Sequence, residues 1–170
     1  MASFQDDMVE YRTQLEKGAI QRAYKGLMEY IMGLRGYLQH QYPDYFVSGS
    51  IYYGYMDMTY FSFFPKSLKD RGLKAGVVFL HEAFRFEVWL FGYNKQVQTK
   101  YWKLFKDRAW KKYHLVSTLK GSDSILENVL VEHPDFSDPD LLTKQIEKGT
   151  VQFIEDVERY LSVQPLPTPA

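Results

Sequence analysis

The run Phe84-Arg85-Phe86-Glu87-Val88-Trp89-Leu90 constrains this chain more than any other stretch. Residues two apart on a strand share a face. As a strand the run presents Phe84, Phe86, Val88 and Leu90 on one side and Arg85, Glu87 and Trp89 on the other. The first side needs a core. The second carries two charges amid apolar surface, and burying either one unpaired costs on the order of several kcal/mol. Arg85 and Glu87 must therefore find partners, open onto a wet cleft, or meet a ligand.

The rest of the chain supplies the core. Ser3, with Asp6 three residues on, starts a short helix striped by Phe4, Met8, Tyr11 and Leu15 and stopped at Gly18. A longer helix, 19–41, follows with apolar residues at 3.6 spacing, among them Leu27, Ile31, Leu34 and Leu38. Gly26, Gly33 and Gly36 inside it suggest close packing against a sheet. Strands are expected over 47–56, 57–64, 74–81 and 83–91, the first bent at Gly49 and Gly54. The polar stretch 66–72 is expected to be a connection.

Asn94 caps a helix to about Asp107, packing by Val97, Tyr101, Leu104 and Phe105. Extended segments 115–118 and 125–132 come next. Asp138-Pro139 then opens a last helix, a cap followed by proline at the first helical position. Its stripe is Leu142, Ile146, Phe153, Val157 and Leu161. The expected fold is one α+β domain over 1–163. A mostly antiparallel sheet of four to five strands is covered by an N-terminal helical hairpin and C-terminal helices, and a disordered Pro-rich tail fills 164–170.

Composition removes several function classes. The 21 basic and 21 acidic residues balance, which argues against a protein built mainly to bind nucleic acid. With no cysteine there is no disulfide framework and no thiolate chemistry. No signal peptide or membrane span is read, so a cytoplasmic location is expected. Aromatic residues make up 17% of the chain, 14 of them Tyr, which favours an aromatic-lined pocket or an interaction surface. Neither a Gly-rich phosphate loop nor a G-x-S-x-G elbow occurs, no cofactor is indicated, and the four histidines lack the spacing of a metal site.

The strand face is the leading candidate site. Its cleft would be floored by Asp57, His81, Arg85 and Glu87 and walled by Tyr53, Tyr55 and Trp89. Arg85 would hold an anion while Glu87, His81 or Asp57 handles a proton. The plainer reading is an internal ion pair. A metal-dependent nuclease-like enzyme could draw its acids from Asp57 and Glu87, although Trp89 stands where such a motif carries lysine. The helix from Asn94 bears Lys95, Lys100, Lys103 and Lys106 beside Trp102, residue types that grip phosphates and stack bases.

The stretches AYKGLMEYIMGL (23–34), YPDYFVSGSIYYGYMDMTY (42–60) and HEAFRFEVWLFGYNKQVQTKYWKLF (81–105), with 135–148, carry a resemblance that spans nearly the whole domain. The chain resembles a family of small bacterial proteins known only as a domain of unknown function. The resemblance implies a bacterial, single-domain, cytosolic protein and carries over no activity, cofactor or site residue. The preferred expectation is a non-enzymatic domain that binds a small molecule or a protein. It would be a monomer or homodimer without membrane contact, a structural homodimer being the third possibility.

Overall fold

Ser3 opens α1 (Phe4–Glu16) in the computed structural model, which describes residues 1–163. The tail at 164–170, expected to be disordered, lies outside the described residues. The Ser3 hydroxyl accepts the Asp6 N–H at 3.2 Å, and the Asp6 carboxylate takes the Ser3 N–H at 2.8 Å, completing a capping box. Gly18 joins this helix to α2 (Ala19–Gln41) with φ 73°, a left-handed conformation that favours glycine. Among the described residues, 1–37 form one compact unit and 38–163 belong to another. Within the first unit the two stripes differ. On α2 Ile31 and Leu34 are buried and Leu27 half-buried, with Met28, outside the expected stripe, buried beside them, whereas Phe4, Met8 and Tyr11 on α1 are exposed and α1 buries no residue. Gly26, Gly33 and Gly36 do not mark close packing, since a Cβ at each would meet nothing within 4 Å.

The second unit holds the sheet. Its first strand, β1 (Phe46–Val47), is only two residues long. Segment 48–57 then leaves the ladder and touches β2 (Met58–Phe64) again through a Tyr52–Tyr60 bridge. The strand expected over 47–56 is therefore mostly loop. A Cβ at Gly54 would fall 2.2 Å from the Met58 carbonyl oxygen, and Asp57 accepts the Tyr55 N–H at 2.8 Å, so the backbone is turning tightly there. Pro65 ends β2, and the connection after it forms a short helix, α3 (Lys66–Asp70).

The strands β3 (Leu73–Leu80) and β4 (Arg85–Gly92) pair from Leu73 opposite Gly92 to Leu80 opposite Arg85. Asn94 caps α4 (Lys95–Asp107) as expected. Then come β5 (His114–Leu115), β6 (Leu126–Val131) and α5 (Pro139–Ser162), the last capped by Asp138. The sheet order is β1-β2-β3-β4-β6-β5 with every pair antiparallel. The fold is α+β, with N-terminal helices, a C-terminal helix and six strands rather than four or five. The short edges account for the excess.

Register gives the sheet two faces. Thr59, Phe79 and Phe86 align, as do Phe61, Val77 and Val88. This core face meets α5 through β4 and β6, and the predicted α5 stripe is buried throughout. Each such Phe or Leu contributes about 1.5–3 kcal/mol. Gly149 lets α5 approach β6, because a Cβ there would come 2.6 Å from the Leu130 side chain. On α4 the buried residues are Gln98, Tyr101 and Phe105, while Val97 and Leu104 are only half-buried. The helix is rotated because Gln98 Nε2 donates to the carbonyls of Ser122 and Ser124, each at 3.0 Å. Among the described residues no helix is long and apolar enough to cross a membrane.

Candidate functional site

The same register sorts the candidate residues. Arg85, Glu87 and Trp89 align with Leu80, Val78 and Gly76, on the face away from Phe61 and Val88. Phe84 does not belong to the strand. It sits in the 81–84 turn with φ 52° and is exposed, because a four-residue link between Leu80 and Arg85 needs a left-handed residue.

Thr59 lies on the core face opposite Phe79, and its hydroxyl oxygen is 2.9 Å from His81 Nε2. That hydroxyl spends its single proton on the Tyr53 carbonyl at 2.7 Å, so His81 Nε2 is the donor to it. Burial lowers the His81 pKa, opposed by the Asp57 carboxylate. Asp57 turns back on its own loop, where the Met58 and Tyr55 N–H groups hold its carboxyl below the usual range. The sheet thus separates Asp57 and His81 from Arg85, Glu87 and Trp89, and the cleft drawn from sequence becomes two places. Asp57 and Glu87, the acids of the nuclease-like reading, are parted in the same way. Tyr53 and Tyr55 stand exposed in the 48–57 loop, the Tyr53 carbonyl accepting the hydroxyl of core-face Thr59.

Arg85 is already engaged. Its Nη1 donates to Glu132 at 3.0 and 3.3 Å, and its Nη2 lies 3.6 Å from Glu87 Oε1. With two carboxylates on one guanidinium, little is left to hold an anion. Glu87 is 3% exposed, and burial, then Glu127 and Glu132, raise its pKa against the opposing pull of Arg85 and the Trp89 indole. Arg85 Nε, Glu87 Oε2 and Trp89 Nε1 are all buried without a hydrogen bond of ordinary geometry, the Trp89 indole approaching Glu87 only closely enough to favour its charged form. A fully unsatisfied buried group costs about 1–3 kcal/mol, and the approach of the Trp89 indole to Glu87 offsets part of that here.

Next to this triplet, on the same face, lies a groove that the sequence reading did not identify. Its volume is about 380 Å³, and Tyr52, Tyr60, Phe91, Ser62, Lys74 and Asp123 are among its lining. The rings of Tyr60 and Phe91 stack at 5.6 Å and 27°, reaching across β3. They can do so because position 76 is glycine: a Cβ there would sit 3.1 Å from the Phe91 ring. Tyr52 continues the row at 5.1 Å from Tyr60, and Trp89 extends it at 5.8 Å from Phe91. Burial, then Asp123 and Tyr52, push the Tyr60 phenol up, so it stays protonated and able to donate. Phe91 was legible as the next same-face residue after Trp89. Tyr60 required the register.

The basic helix offers less to a nucleic acid than its sequence suggests. Trp102 Nε1 donates to the Val116 carbonyl at 2.7 Å, and Lys106 Nζ covers the ring at 4.6 Å. Lys95 is tied to the Ser122 carbonyl at 2.9 Å. Lys103 is exposed and Lys100 half-buried.

The family model described as Domain of unknown function (DUF7000) matches residues 4–161. The chain belongs to this family. No curated protein matches the chain, and no solved structure does. The DUF7000 match takes in the whole groove and the Arg85–Glu87–Trp89 strand.

Proposed function

We propose that this DUF7000 chain is a binding domain for a small organic ligand, taken on the face of the sheet that carries Tyr60 and Trp89. The observation behind this reading is the groove floor. Two stacked rings stand over a glycine, with a hydroxyl, an ammonium and a carboxylate from Ser62, Lys74 and Asp123 along the sides. Pockets that hold small ligands combine apolar or aromatic walls with a few convergent polar groups in this way. The fitting ligand has a flat ring that lies on Tyr60 and Phe91 and polar ends that meet Lys74 and Asp123. Arg85, committed to Glu87 and Glu132, orients the neighbouring strand rather than capturing an anion. No reaction is assigned.

The test is a screen of flat heteroaromatic fragments followed by amide spectra of the labelled protein. Saturable shifts at Lys74, Gly76, Phe91 and Asp123 are expected, and Phe91→Ala, checked for a retained fold, should abolish them. Shifts scattered over the surface, or unchanged in Phe91→Ala, would remove the groove as the site.

A second reading, a structural homodimer, draws on the exposed stripe of Phe4, Met8 and Tyr11 on α1. Sedimentation as a monomer at all concentrations would dismiss it.

A further inference from the structure

Past the end of α4 the chain turns a sharp corner. Ala109 takes φ 51°, a left-handed conformation uncommon for a residue with a Cβ. Trp110 then stacks on Tyr160 of α5 at 4.3 Å and 12°, and on Phe105 at 5.4 Å. A cavity of about 440 Å³ opens beside it, lined by Trp110 and Tyr113 and by Lys106, Lys111, Lys112 and His114. Among the described residues no acidic side chain lines it. Lys111 has no ion-pair partner among them either, and it is exposed.

The wall is built rather than incidental. Asp156 of α5 is 3% exposed and accepts from Lys112 Nζ at 2.9 Å, Tyr113 Oη at 2.6 Å, Gln152 Nε2 at 3.1 Å and Arg159 Nη1 at 3.2 Å. Four donors fill the carboxylate's acceptor sites. Its role is then to fix Lys112 and Tyr113 at the cavity edge and to keep a second cation, Arg159, close by. Burial and the adjoining carboxylate push the Tyr113 phenol far up, so it stays a donor. Lys106, Lys111 and the Asp156-paired Lys112 thus line one cavity on a chain whose net charge is zero.

A fixed lysine, a free lysine and a braced indole together suit a phosphate joined to a flat ring. Trp102 cannot play the stacking part, because Lys106 covers its ring. We propose that this corner binds a small phosphorylated ring compound of the size and chemistry of a nucleoside monophosphate. Its phosphate lies between Lys111 and Lys112, and its ring lies against Trp110. The site shares no residue with the groove on the sheet, so the two readings stand or fall separately.

The experiment titrates the full chain with adenosine monophosphate, inorganic phosphate and adenosine, following tryptophan fluorescence and the Trp110 indole N–H resonance. Adenosine monophosphate should bind more tightly than either fragment, and its affinity should fall as salt rises. Lys111→Glu should weaken it about tenfold or more, whereas Lys103→Glu, on α4 and outside the cavity lining, should change it by less than about twofold. Both sites are exposed, so the variants should melt as the parent does. Absence of binding would overturn the proposal. So would adenosine binding as well as its monophosphate, phosphate alone binding equally, or equal losses in the two lysine variants.

Discussion

Arg85 is shared between a buried carboxylate and an exposed one, so the members of the cluster are not equivalent. Removing the guanidinium strands Glu87, which has no other cation within ion-pair distance among the described residues. Arg85→Met should cost about 3–5 kcal/mol in urea melts. Glu87→Gln leaves Arg85 with Glu132 and should cost about 1 kcal/mol or less, with the double change below the sum. Equal single costs would show that Glu132 gives Arg85 no support. The titration of Glu87 has a definite sign. Its folded pKa is raised, so its stabilising contribution is complete below the ordinary glutamate value of 4.5 and is lost as pH rises through the raised folded value. Across that window the parent should lose stability relative to Glu87→Gln. A constant difference between the two would show that Glu87 titrates normally in the fold.

The elements whose signals are local were legible. Ser3, Asn94 and Asp138 each cap a helix where the sequence places it, because a cap needs only the N–H groups of the next turn. What depended on distant residues was not. Gln98 is turned inward by carbonyls of Ser122 and Ser124, and the Tyr-rich 48–57 segment reads like a strand until Gly54 and Asp57 fold it into a turn. Two measurements follow at this scale. Phe105→Ala should cost about 3–5 kcal/mol and Leu104→Ala distinctly less, since only Phe105 is fully buried. Gly76→Ala should displace the Phe91 ring from Tyr60, costing about 1–3 kcal/mol and altering the near-ultraviolet circular dichroism. An unchanged spectrum would mean that the glycine does not set the groove floor.

Over the molecule as a whole, the pairing of strands decided more than their existence. Alternation on β4 was readable and correct from Arg85 on. Whether Asp57 and His81 shared its polar face rested on a register set by the turns, and one position decides which face a residue takes. Burial is also distributed unevenly. Because α1 buries no residue, a chain lacking residues 1–17 should melt within about 4 °C of the parent, roughly the effect of 1 kcal/mol at this size. A larger drop would assign that helix a structural role. The sheet is long in its middle and almost vanishing at its rims, β1 and β5 having two residues each. Because β5 covers only Leu126 and Glu127 of β6, residues 128–131 of that strand have no ladder partner on their outer side among the described residues. An added strand would have to start on that short stretch, and its four residues bound how far the ladder could be extended by another chain.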